Sequence, residues 1–194
     1  MKVLIFGGSF NPLTIAHISV AKSLYKNLSL DKLIFLPTST NFIKNIKKYN
    51  QKDIIEENKR IFLLNKLVNN VKKEFNFELS LLEINNPDFK TFDSLMYFKN
   101  KYSQNDVIYF AMGDEKLSSF YKWYKAKEIL ENFKIVIIKR VGIDFDLFYK
   151  NKLYKEYKNQ FIFFDPNLEL SNISSTKVRN NMVKIDGSLE VKDV

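Results

Sequence analysis

Five short apolar runs constrain this chain more than any other feature. They are Lys2 to Phe6, Leu33 to Leu36, Val107 to Ala111, Ile135 to Ile138 and Phe161 to Phe164. Each has the length of a strand and lacks the in–out alternation of a sheet with one wet face, so both faces are expected to be covered. Between them the apolar residues recur at helical spacing, as in Ile15, Ile18, Ala21, Leu24, Tyr25 and Leu28. Helices are expected over 15–28, 53–71, 91–102, from Gly113 to Leu130, over 143–158, and from Ser174 onward. A loosely alternating segment, Phe75 to Ile84, is expected as a further strand. Strands separated by helices predict a doubly wound α/β domain with a parallel sheet, taken as one domain over residues 1–194. In such a domain the ligand sits outside the carboxyl ends of the strands.

Composition narrows the chemistry. There is no cysteine, which removes disulfides, thiolate nucleophiles and thiolate metal sites. The absence fits a reducing cytoplasm, where the protein is expected to reside. No apolar run is long enough to span a bilayer, and the first residues lack the pattern of a secretory signal, so no membrane partner is expected. The net charge of +9 favours anionic partners, but lysines interleaved with acids, as at Lys52-Asp53 and Lys127-Glu128, form no block of the kind that grips nucleic acid. A nucleotide is the more economical anion. Residues 38–52 are polar and lysine-rich without a period, and read as a long functional loop.

The first strand ends in Gly7-Gly8-Ser9-Phe10-Asn11-Pro12, and the next helix opens with Thr14 and His17, the sole histidine. This is neither a G-x-G-x-x-G turn nor a Walker A loop. Three residues apart on a helix, Thr14 and His17 share a face at its first turn, where the dipole favours anions. Phosphate binding is one use of such a pair; an N-cap threonine beside a buried structural histidine is the other.

The stretch from Gly7 to His17 resembles the [H/T]-x-G-H signature of the nucleotidylyltransferase superfamily. Ile173-Ser174-Ser175-Thr176-Lys177-Val178-Arg179 resembles the I-S-S-T-x-x-R motif of its adenylyltransferases. Gly113-Asp114-Glu115-Lys116-Leu117 with Phe120 and Trp123 is similar to the G-A/S-D-x-L…F…W segment of nicotinate/nicotinamide mononucleotide adenylyltransferases. Thr91 to Leu95, Lys44 and Arg140-Val141-Gly142 resemble further family features. Thr14, Ala16, Glu115 and Val141 stand where relatives usually have histidine, glycine, aspartate and proline.

The resemblance implies a Rossmann-like sheet and adenylyl transfer from ATP to the 5′-phosphate of a pyridine mononucleotide, with Mg2+ carried on ATP and no protein metal cage. His17 and Thr14 are then the catalytic pair. ATP is expected on the backbone of Gly8, Ser9 and Phe10, on Thr14 and His17, and on Ser174, Ser175, Thr176 and Arg179. The mononucleotide is expected on Lys44, Thr91, Gly113, Asp114, Glu115, Trp123 and Arg140. Monomer and homodimer are both compatible with these residues. Phosphopantetheine adenylyltransferase, or a non-catalytic nucleotide- or RNA-binding relative, are the alternatives.

Overall fold

A computed structural model describes residues 1–46, 54–140 and 145–166. Among them a six-stranded, wholly parallel sheet has the order β3-β2-β1-β4-β5-β6. The strands are β1 (Lys2–Gly8), β2 (Lys32–Pro37), β3 (Phe77–Leu79), β4 (Val107–Gly113), β5 (Lys134–Ile138) and β6 (Phe161–Phe164). The helices are α1 (Ile15–Asn27), α2 (Thr40–Ile46), α3 (Glu57–Val71), α4 (Leu82–Asn85), α5 (Thr91–Lys101), α6 (Leu117–Phe120), α7 (Ala126–Asn132), α8 (Phe145–Lys150) and α9 (Lys152–Glu156). No helix among the described residues is long and apolar enough to cross a membrane.

The unbroken apolar runs follow from two cores, one on each face of the sheet. Along β1, Val3 and Ile5 enter one core while Leu4 and Phe6 enter the other. The first core is completed by Leu95 and Phe98 of α5, Ile129 and Leu130 of α7 and Tyr154 of α9. The second is completed by Ile18, Ala21 and Leu24 of α1 and by Leu64 and Val68 of α3. Side chains alternate between faces along a strand, so when both faces are buried every position turns apolar. Strand order reverses between β1 and β4, and their carboxyl ends open the crevice where doubly wound sheets take ligands.

Four expected elements differ. The loop foreseen over 38–52 contains α2: Ser39 accepts the Phe42 N–H on its hydroxyl (3.2 Å), and one fully buried residue, Ile43, holds the helix down. A single anchored position leaves no visible period. The strand foreseen over 75–84 pairs only at Phe77–Leu79; beyond it the chain turns into α4, where buried Glu83 accepts from Ser94 (3.1 Å). The helix foreseen after Gly113 is broken into a 3₁₀ turn, α6 and α7, with Lys125 in the left-handed region (φ 52°) and its ammonium 4.5 Å above the Phe92 ring. The helix foreseen over 143–158 divides at Asn151, whose side chain caps α9 by accepting from Leu153 and Tyr154. The helix foreseen from Ser174 lies outside the described residues.

Candidate active site

The turn after β1 is built around Phe10. Its ring folds back into the core, edge-on to Phe6 (5.5 Å between centroids), Phe35 (5.8 Å) and His17 (5.4 Å). The backbone at Phe10 is left-handed (φ 40°), a conformation that costs energy for a residue with a Cβ and survives only where its surroundings hold it. Gly8 is required by the same packing, since a Cβ there would come within 2.9 Å of the Phe10 ring. The Gly8 carbonyl accepts from both the N–H (2.9 Å) and the hydroxyl (3.2 Å) of Thr38, which fastens the turn to the end of β2.

Thr14 caps α1, and the third helical residue answers it in the manner of a capping box, with histidine in the place of the usual glutamate. The Thr14 N–H reaches His17 Nδ1 at 3.2 Å and the Thr14 hydroxyl lies 2.7 Å from the same atom. A backbone N–H can only donate, so Nδ1 is an acceptor and the ring proton of the neutral imidazole resides on Nε2. Burial, with the positive charge of Arg140 acting in the same direction, pushes the His17 pKa down to about 3. His17 is therefore a neutral Nε2–H donor at every physiological pH. Thr14 is fully buried and its hydroxyl is engaged at Nδ1, so it meets the site through the imidazole.

The second wall lies at the ends of β4 and β5, where Gly113 pairs with Ile138. Asp114 is buried, and its Oδ2 accepts the Arg140 N–H at 3.0 Å, tying the two strand ends together. Glu115 is exposed and folds over Gly113, where an added Cβ would lie 2.0 Å from Oε2. Of the two adjacent carboxylates, Asp114 is thus committed to the backbone and Glu115 faces solvent beside the glycine. The Arg140 side chain is exposed, and its charge reaches His17 across the sheet end.

The remaining expected residues that are described lie on α5, on α2 and between α6 and α7. Thr91 is the first residue of α5, as the sequence suggests. Trp123 is half-buried, edge-on to Phe120 (5.2 Å) and Phe110 (6.4 Å), at the margin of the first core. Lys44 sits exposed on α2 and lines a cavity of about 560 Å³ with Glu57 of α3; His17 and Gly113 do not line it. Ser174, Ser175, Thr176 and Arg179 lie outside the described residues.

Sequence reasoning missed the support beneath the turn. Arg60 of α3 is fully buried; it donates to the Ser9 carbonyl (2.8 Å) and to the Thr40 hydroxyl (3.3 Å), with Glu57 3.8 Å away. Burial presses the Arg60 pKa below its usual value and Glu57 works against that shift. Asn11, also buried, accepts the Ile55 N–H at 2.9 Å. A signal for Arg60 was present: with Leu64 and Val68 it occupies the i, i+4, i+8 stripe that α3 buries.

The chain matches the model of the cytidylyltransferase-like family over residues 5–181. It is 33% identical to a probable nicotinate-nucleotide adenylyltransferase of Aliarcobacter butzleri, covering 94% of this chain and 88% of that protein. A Clostridium tetani protein with the same designation is 30% identical over all of this chain and 91% of its own length. Among solved structures, the Plasmodium falciparum nicotinic acid mononucleotide adenylyltransferase complexed with NaAD superposes with a TM-score of 0.71 at 22% identity. That match covers 95% of this chain and 85% of the other, and at this identity speaks for the fold.

Proposed function

The chain belongs to the cytidylyltransferase-like family and, within it, to the nicotinate-nucleotide adenylyltransferases, and from that membership we infer that it transfers the adenylyl group of ATP to the 5′-phosphate of nicotinate mononucleotide. The products are the dinucleotide and pyrophosphate, a step in NAD biosynthesis. A phosphate oxygen of the mononucleotide forms a bond to the α-phosphorus of ATP as the bond to the β-phosphate oxygen breaks, and the electron pair leaves with pyrophosphate. The nucleophile is already ionised at pH 7. Catalysis then consists of alignment and of stabilising charge on the α-phosphate oxygens.

The observation that carries this chemistry is the pair of Thr14 contacts at His17 Nδ1, from which a neutral imidazole with its proton on Nε2 follows. A donor that holds its proton donates to a phosphate oxygen throughout the reaction without being consumed, and a fixed tautomer needs no reorganisation as charge develops. Thr14 acts through His17 by holding that tautomer. The backbone N–H groups of Gly8 to Phe10 bind ATP phosphates, and Arg140 supplies positive charge from the opposite wall. Glu115 accepts from a ribose hydroxyl beside Gly113, Asp114 holds the wall on which it stands, and Thr91 and Trp123 border the pyridine ring. Lys44 and the motif of Ser174, Ser175, Thr176 and Arg179 complete the anion site.

Magnesium enters as part of the substrate, bound to the ATP phosphates. Among the described residues no group of three or more His, Asp or Glu side chains is placed to hold an ion. The enzyme works in the cytoplasm as one catalytic unit. The test is pyrophosphate release from magnesium-ATP with nicotinate mononucleotide, nicotinamide mononucleotide or phosphopantetheine as acceptor. Release with nicotinate mononucleotide is expected. Release with phosphopantetheine and with neither pyridine nucleotide would overturn the reading.

A further inference from the structure

Arg60 is the only fully buried arginine or lysine among the described residues, and it lies directly beneath the turn that meets ATP. Ion pairing does not explain it. Among the described residues its nearest carboxylate, Glu57, is 3.8 Å away and part-exposed, and the buried Nε has no hydrogen-bond partner. Burying a guanidinium so sparsely matched is costly, and an apolar side chain on the Leu64–Val68 stripe would avoid that cost.

What the guanidinium does hold is specific. One Nη donates to the Ser9 carbonyl, and the other donates to Thr40, the first residue of the helix that carries Lys44. The Thr40 N–H in turn donates to Glu57 (3.2 Å), and so does its hydroxyl. The Ser9–Phe10 peptide is trans, so its C=O and N–H point in opposite directions. Pulling the Ser9 carbonyl toward α3 therefore turns the Phe10 N–H away from α3. The same bond also braces the left-handed backbone at Phe10, whose ring touches His17.

We propose that Arg60 is a positioning residue for adenylyl transfer: by anchoring the Ser9 carbonyl and the start of α2 together, it aims the Phe10 N–H at the ATP phosphates and sets the spacing between this turn and Lys44. This rests on the adenylyl-transfer reading above. Its charge contributes as well, since a sparsely neutralised cation under the turn favours a polyanion above it.

The test separates the two readings. Wild-type enzyme is first assayed with magnesium-ATP and nicotinate mononucleotide; if it is inactive, the functional reading fails before Arg60 is in question. In active enzyme, Arg60→Lys keeps the charge and the stem but replaces a fork by a single point donor, which cannot hold both anchors. Arg60→Lys is expected to lower kcat about tenfold to a hundredfold and to raise KM for ATP, with KM for the mononucleotide within about twofold of wild type. ATP binding measured calorimetrically without acceptor should weaken in step with that KM. A purely structural role would leave both KM values unchanged and reduce only the fraction of active protein, which active-site titration counts. Thr40→Val removes one anchor with little change in volume, and should show a smaller effect of the same pattern. Should Arg60→Lys fail to fold, Thr40→Val decides. Wild-type kcat, KM and ATP affinity in whichever variant folds would overturn the proposal.

Discussion

Acidification gives the sharpest test of the His17 arrangement. The folded pKa is about 3 against an ordinary value of 6.5, so between these values the unfolded chain binds a proton that the folded chain does not. Stability then rises with pH across this window: the His17 contribution is present above about pH 6.5 and is lost as pH falls toward 3. Going from pH 7 to pH 5, the unfolded histidine becomes almost fully protonated while the folded one stays neutral, a loss of about 2 kcal/mol from this residue. The size is set by the unfolded value, because at pH 5 the folded imidazole has not begun to titrate.

Denaturant unfolding at pH 7, 6 and 5 measures the loss, and His17→Asn supplies the reference. Asparagine does not titrate, so subtracting its pH profile removes the carboxylates and leaves the imidazole. His17 is the only histidine in the chain, so its ring ¹⁵N signals are unambiguous and report the tautomer directly. They should show Nε2–H and no titration between pH 8 and 5. If wild type and His17→Asn lost equal stability over that range, or if the ring titrated near 6.5, the fixed neutral donor would be wrong. The kinetic corollary is that kcat shows no histidine limb between pH 5 and 8.

Three further outcomes are expected. His17→Ala removes the donor proposed to meet the reacting phosphate and should cut kcat by about 100- to 1000-fold, read by pyrophosphate release, with a smaller change in KM. Gly113→Ala places a methyl group 2.0 Å from Glu115 Oε2; that flexible carboxylate swings aside, so KM for the mononucleotide should rise while thermal stability changes by less than about 1 kcal/mol. Tyr154→Phe deletes a hydroxyl that donates to the Leu117 carbonyl (2.6 Å) and accepts the Tyr121 N–H (3.0 Å); two backbone groups are left unpaired, and chemical denaturation should show a loss of about 1–3 kcal/mol.

The sheet was legible because burial on both faces writes an apolar signal along the inner strands, and the edge strand β6 carries the same run although Phe163 is exposed. Where only one residue is anchored, as with Ile43 in α2, no period reaches the sequence; β3 was foreseen as a strand, but its three paired residues, Phe77–Leu79, leave nothing in the sequence to mark where pairing stops and α4 begins. The site divides along a similar line. The residues proposed to face the ligand sit in a recognisable local string, Gly8 to His17 or Gly113 to Trp123, because the turn and the helix start that follow a strand are short. Arg60, Thr40 and Glu57 act on that string from about 30 to 50 positions away, joined to it only through folding.

Thr14 shows how the supporting layer changes the meaning of a residue already in view. On the sequence it is one of two donors on a helix face; in the fold its hydroxyl and N–H both meet Nδ1, leaving the imidazole a single proton to offer, on Nε2. Arg60 does for the Ser9–Phe10 peptide what Thr14 does for His17: each spends its own polar groups inward so that a neighbour keeps one donor facing outward. Two groups of unlike chemistry, a backbone amide and an imidazole, are thereby prepared in the same way, with their acceptor sides occupied before substrate arrives. That common preparation is what a reaction limited by alignment and charge, with no proton to move to its nucleophile, demands of its protein.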